Sequence, residues 1–279
     1  MPSKFSRQEV LARLQAQIDA RSSILAVGAG SGLVARCAEN GGADLIIVYS
    51  SGRFRMNGLP SFVASMPIGD ANAITIDLGK RDIVPHRRTV PVIGGVYAAD
   101  PTRVISGVLD EIEATGYSGV INFPSVARLE GSLRREIEAA GYGFERECRM
   151  VAEARERELF SLAYVRTTEH SRMMAEAGVD VIVGHMGFTV GGDIGSVQGI
   201  SLEESIGRLN EIFEAARKVR PEVMLLTHGG PIATAADVEF ANLRTKAAGF
   251  VAASSFERIP IENALKQACA EFKSARVSG

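Results

Sequence analysis

A chain of 279 residues, 46% apolar, holds enough hydrophobic material for one α/β barrel or two small domains, and no Pro/Ser-rich linker or low-complexity run divides it. Its 31 Lys and Arg against 33 Asp and Glu leave a formal charge of −2 with no basic stripe, which argues against nucleic acid as the main partner. No run of about 18 apolar residues suggests a membrane span, and the charged first twenty residues do not read as a secretory leader, so cytoplasmic residence is the expectation.

Residues 6 to 20 place Val10, Leu11, Leu14 and Ile18 on one helical face, with Ser6 and Glu9 spaced as a capping box, so a helix precedes the first strand. Short apolar runs then alternate with polar or glycine-rich connections and amphipathic stretches. Strands are predicted over 24–27, 45–49, 91–96, 119–123, 160–165, 179–184, 223–227 and 250–253. Helices fall between them over 31–40, 101–115, 132–140, 168–177, 202–219, 233–245 and 261–274. Eight such units in one domain spanning 1–279 predict a (β/α)8 TIM barrel, because parallel strands need crossover helices and eight strands close without edges. An open doubly wound sheet is the alternative. Three connections exceed the minimal unit: a long polar loop after the second strand, an extra strand or helix over 73–84, and a second helix over 145–158. Cys37, Cys148 and Cys269 are far apart and odd in number, which suggests neither disulfides nor a zinc cluster; they read as small core residues.

In such a barrel the C-terminal strand ends form the mouth. After the first strand, Gly28 and Gly30 either let backbone N–H groups approach an anion or simply make a tight turn. After the second come Tyr49, Ser51, Arg53 and Arg55, then Asp70 and Asn72. Two guanidiniums at a mouth suit carboxylate or phosphate, and Arg53 is favoured for that task. The bland alternative has both arginines solvated and Asp70 capping a helix. Asn122 ends the fourth strand, as a substrate donor or a turn residue. His185 and Gly187 follow the sixth, and His228 and Gly229 the seventh. Two strand-end imidazoles on neighbouring strands suit general acid–base catalysis. Ser254, Ser255 and Glu257 follow the eighth; small residues after strands seven and eight suit a phosphate grip. His86 and His170 lie away from strand ends and read as incidental. No metal-binding spacing is present, although Asp70 and Glu257 offer oxygen ligands of the kind Mg2+ prefers, making it the candidate metal.

The blocks GADLIIVYSSGRFRMNGL, MPIGDANAI, GHMGFTVGG, THGGPIA and GFVAASSFERIPIE, in order from Ile24 to Glu262, resemble the signature blocks of the phosphoenolpyruvate hydrolase-like or TIM-barrel signal-transduction family, related to the barrel domain of a plant tobamovirus-resistance protein. The resemblance implies a (β/α)8 barrel grouped with phosphoenolpyruvate- and pyruvate-binding barrels, working as a homo-oligomer. The matching blocks include His185, Arg53 and His228, which the strand-end reading takes as the catalytic residues, Arg53 holding the anion and the histidines moving the proton. The matching blocks also imply that Gly28, Gly30, Tyr49, Ser51, Arg55, Asp70, Asn72, Asn122, Gly187, Gly229, Ser254, Ser255 and Glu257 bind substrate. Two places depart from it. Ala127-Arg128 and Glu130 stand where a Gly-Leu-Ile-Asp run is expected, and Tyr164-Val165-Arg166 replaces an aromatic-Asn ending. Both surround the mouth, which implies a substrate outside the family's main branch. The function expected is hydrolase or lyase chemistry on a small oxyanion, a 2-oxo acid or phosphorylated enol, through an enolate with C–C, C–P or phosphoester cleavage. The alternative is a barrel that senses a ligand or binds a protein without turnover.

Overall fold

The computed structural model describes residues 4–66, 69–86, 89–196 and 199–277, so Pro67 and Ile68 of the MPIGDANAI block lie outside the described residues. Helix α1 (Arg7–Asp19) opens the chain with the predicted capping box: Glu9 N–H donates to Ser6 Oγ while the Glu9 carboxylate accepts from Ser6 N–H. The chain continues through β1 (Ile24–Gly28), α2 (Gly32–Asn40), β2 (Leu45–Val48), α3 (Ser50–Met56), a 3-10 turn (Ser61–Ser65) and α4 (Ala71–Leu78). Next come β3 (Val92–Val96), α5 (Ile105–Thr115), β4 (Gly119–Asn122), a 3-10 turn (Val126–Arg128), α6 (Gly131–Ala139), α7 (Glu145–Glu156), β5 (Phe160–Val165) and α8 (Thr168–Glu176). The last elements are β6 (Val181–His185), α9 (Leu202–Val219), β7 (Met224–His228), α10 (Ala235–Arg244), β8 (Gly249–Ala252), α11 (Ser254–Glu257) and α12 (Ile259–Lys273).

The eight strands form one closed parallel barrel in sequence order, β8 returning to β1 through the pairs Ile24↔Gly249 to Val27↔Ala252. Each strand is buried on both faces, which is why the sequence shows continuous apolar runs. One set of alternating positions (Ala26, Leu45, Ile47, Ile93, Leu162, Val183, Leu226) fills the interior, and the other (Val27, Ile46, Val92, Ile182, Leu225) meets the helix layer. Val10 and Leu14 of α1 join the interior cluster, and Arg7 reaches Asp180 ahead of β6 with an Nη2–Oδ1 distance of 2.7 Å. One end of the barrel is thereby plugged, and the C-terminal strand ends form the mouth.

The long polar loop expected after the second strand is instead α3 followed by a 3-10 turn, and residues 73–84 fall mostly within α4 and a π-helical turn, Gly79–Ile83. The reading of the cysteines is also corrected: Cys37 and Cys269 lie exposed on the outer faces of α2 and α12, and Cys148 is half-buried. No helix among the described residues is long and apolar enough to cross a membrane.

Candidate active site

Two strands of equal register end in histidine. His185 and His228 are paired across β6 and β7, so both rings point into the mouth, with centroids 4.7 Å apart and planes at 67°. Tyr164 of β5 lies 5.2 Å from the His185 ring and 4.8 Å from that of His228, and Phe123 and Tyr49 continue the aromatic floor. The imidazoles are 5% and 8% exposed. Their hydrogen bonds fix opposite tautomers. His228 Nδ1 lies 2.7 Å from the Val251 carbonyl oxygen, which only accepts, so Nδ1 carries the proton and Nε2 is bare. His185 Nδ1 accepts from Gly187 N–H at 3.1 Å, so its proton sits on Nε2. Neither Nε2 has a hydrogen bond among the described residues. Burial, with their mutual repulsion and Arg128 and Arg166 nearby, drives His185 well below the ordinary imidazole value; burial drives His228 down to about 4. Both rings are neutral near pH 7.

The loops behind these histidines are joined. Gly230 N–H donates to the Gly187 carbonyl at 3.0 Å and Met186 N–H to that of His228 at 2.9 Å. Gly229 takes φ 70°, and a Cβ there would stand 2.2 Å from Gly187 O, so only glycine permits this approach. Gly187 and Gly229 thus hold the two loops together behind the imidazoles, and of the backbone donors expected to grip a phosphate, the Gly230 N–H is taken up by the Gly187 carbonyl.

The opposite wall holds a buried ion pair. Arg55 Nε donates to Glu257 Oε2 at 2.6 Å, Nη2 reaches the same oxygen, and Nη1 donates to Ser51 Oγ at 2.9 Å and Ser61 Oγ at 3.2 Å. Ser254 Oγ meets Ser61 Oγ at 2.9 Å. Burial opposes the Arg55 charge, but Glu257 outweighs burial and holds the guanidinium firmly protonated. The charges of Arg55 and Glu257 are therefore spent on each other, although Glu257 Oε1 and Ser255 Oγ are buried without partners. Gly28 and Gly30 pack against this wall: a Cβ on Gly28 would meet the Tyr49 hydroxyl at 2.8 Å, and one on Gly30 the Gly52 backbone at 2.2 Å. The lack of a Cβ at both glycines serves this close packing.

Other expected residues lie elsewhere. Arg53 leaves the mouth on the outer side of α3, 35% exposed, 3.1 Å from Asp77 and 3.8 Å from Asp82. On a helix, residues two apart face nearly opposite ways, so Arg55 turns in and Arg53 out. Asp70 caps α4, accepting Ala73 N–H at 2.8 Å. Asn72 spends its amide on the Tyr97 backbone and on Asp100. Asn122 bridges Glu147 at 2.6 Å and the Tyr164 backbone, leaving no donor for substrate.

Residues 9–275 match the family described as phosphoenolpyruvate hydrolase-like. The chain belongs to that family. It is 39% identical over 269 residues to the tomato (Solanum lycopersicum) ToMV resistance protein Tm-1(GCR237), covering 96% of this chain and 36% of the relative. A Sinorhizobium fredii relative named putative transcriptional regulatory protein y4pA is 35% identical over 271 residues, or 96% of this chain and 44% of its own. The chain thus spans well under half the length of these relatives. Among solved structures, oxaloacetate acetylhydrolase superposes with a TM-score of 0.65 at 17% identity, over 99% of this chain and 90% of the other. Phosphoenolpyruvate phosphomutase from Streptomyces platensis gives 0.61 at 18%, over 95% and 88%. A phosphonopyruvate hydrolase in complex with oxalate and Mg2+ gives 0.59 at 20%, over 95% and 87%. These likenesses show the fold.

In this phosphoenolpyruvate hydrolase-like barrel, three residues at or beneath the mouth were absent from the expected site. Tyr164 hides in an apolar run. Glu147 of α7 sits in a charge-rich stretch where nothing marks it, yet it is fully buried, accepting from Asn122, from Ser125 Oγ at 2.9 Å and from Val126 N–H at 2.7 Å, with burial raising its pKa to about 7. Arg128, visible only as a departure from the family's blocks, stacks 3.7 Å over the Phe188 ring. Asp70 and Glu257, the oxygens considered for Mg2+, are committed to a helix cap and to Arg55 respectively. No group of three potential ligands converges among the described residues; Mg2+, which takes one or two carboxylates and fills its shell with water and substrate oxygens, would find in Glu257 Oε1 one buried oxygen without a partner.

Proposed function

We propose that the barrel is an enzyme acting on a small oxyanionic substrate of the 2-oxo acid, phosphoenolpyruvate or phosphonopyruvate type, through an enolate-like intermediate. The observation that carries this is the His185–His228 pair: two neutral imidazoles side by side, one presenting Nε2–H and the other a bare Nε2. When a C–C, C–P or phosphoester bond breaks beside a carbonyl, charge collects on the enolate oxygen. A fixed N–H donor there lowers the barrier by several kcal/mol. A neutral imidazole, its pKa depressed, suits that donation because it does not surrender its proton to the ground state. In a hydrolysis, the bare Nε2 of His228 takes a proton from the water whose oxygen bonds to the departing acyl, phosphoryl or phosphonyl group, and the bound anion draws its pKa back toward the usual range. Solved neighbours named as acting on oxaloacetate, phosphonopyruvate and phosphoenolpyruvate support the substrate class. The same reading takes the working form to be a homo-oligomer.

The test is His185→Ala assayed against oxaloacetate, phosphonopyruvate and phosphoenolpyruvate, with a fall of about 10²- to 10⁴-fold in turnover expected. Turnover equal to the parent chain removes His185 from the reaction. Tight binding of these acids with no conversion by mass spectrometry establishes instead the ligand-sensing barrel, which the committed carboxylates of the mouth favour.

A further inference from the structure

Cations are expensive to bury without a counter-charge, and the chain neutralises Arg55 with Glu257 accordingly. Arg128 is the exception at the mouth. Its Nη1 is buried with no hydrogen-bond partner, and no carboxylate lies within ion-pair distance among the described residues. Its planar face is fixed by Phe188, three residues beyond His185. The turn that carries it is anchored from below, because Glu147 accepts from both Ser125 and Val126. Arg166, at the end of β5, adds a second charge whose one acidic neighbour within ion-pair distance among the described residues is Glu130, 4.0 Å away and 84% exposed. The two guanidiniums repel: burial first, then Arg166, lowers the Arg128 pKa to about 10. Both also depress His185, which places them on the histidine side of the mouth.

We propose that Arg128 and Arg166 form the anion subsite of this mouth, so that the substrate is a small dianion carrying a second carboxylate, a phosphoryl or a phosphonyl group. The inference rests on the reading above that the mouth takes a small oxyanion, and it moves the grip from the strand-two arginines to the loops after β4 and β5. Two neighbouring guanidiniums suit two anionic oxygens better than one.

Titration calorimetry with oxalate, inorganic phosphate and pyruvate, on the parent chain and on Arg128→Ala, Arg128→Lys and Arg166→Ala, tests it. At least one of the dianions is expected to bind about 10-fold or more tightly than pyruvate, and whether oxalate or phosphate does so identifies the second group. Arg128→Ala is expected to weaken that dianion by about 30-fold or more, with Arg128→Lys intermediate because it keeps charge but loses the fork, and with a smaller effect on pyruvate. Dianion affinity unchanged in a folded Arg128→Ala, or no preference for dianions in the parent, overturns the subsite while leaving the acid–base reading intact. Arg128-dependent dianion binding with no turnover of any 2-oxo acid does the reverse. No anion binding by the parent overturns both.

Discussion

A buried imidazole gives up its proton at lower pH than one in water, and burial dominates at His170, His185 and His228 alike. His170 lies outside the mouth, stacked 4.1 Å from Phe144 with both nitrogens unpartnered, and burial lowers it to about 4, as it does His228. Each of the three refuses a proton that the unfolded chain accepts near pH 6.5, so the stability they confer is complete above that value and drains as the pH falls toward 4. Glu147 runs the other way. Raised to about 7, it holds a proton that the unfolded chain releases near 4.5, adding stability below 4.5 that is lost as the pH climbs through 7. Three groups oppose one, and the lowered Asp100 and Asp237 side with the three at the acid end. The urea midpoint is therefore expected to rise from pH 4.5 to 6.5, and Glu147→Gln to steepen that rise; a midpoint flat or falling across the window overturns the assignment of these groups. At this scale His185 and His228 were legible because each ends an apolar run. Arg128 was not, because nothing in SVARLEG shows that Phe188, sixty residues on, lies under it.

α3 is the element that sequence reasoning lost. SSGRFRM has no capping side chain, since Tyr49 at the N-cap makes no cap bond, and its third residue is a glycine, so local preference points to a loop. Tertiary contact makes it helical: Gly52 lies against Gly30, and Arg55 is drawn inward by Glu257. Once the segment is a helix, Ser51 and Arg55 share a face and Arg53 cannot. This contact leaves no room for a methyl group. Gly30→Ala is expected to push the end of β1 from α3 and cost about 1–3 kcal/mol in chemical denaturation. Gly107→Ala in α5, where a Cβ would meet nothing within 4 Å, is expected to gain up to about 1 kcal/mol. Equal effects at the two sites would mean that the Gly30–Gly52 approach does not govern the element.

For the molecule as a whole, the alternation of buried runs with amphipathic stretches was enough to read the barrel, because parallel strands leave few other ways to close. The setting of α12 was not legible. Its apolar spacing predicts a buried face, yet none of its residues is buried, with Leu265 61% and Phe272 85% exposed. In the homo-oligomeric reading a second copy covers this stripe. Light scattering is expected to give a multiple of the 29.7 kDa chain mass, and Leu265→Glu with Phe272→Glu to reduce it; a parent chain monomeric at tens of micromolar sinks the idea. The backbone bonds that tie the segment after β6 to the one after β7 have a consequence for selectivity. With those two strand ends stitched together, the distance between the imidazoles is a constant of the scaffold rather than something a ligand adjusts. In the proposed reading, discrimination between the rings works by rejecting molecules of the wrong width, and adaptation to different guests is left to the neighbouring side chains of Arg128 and Arg166.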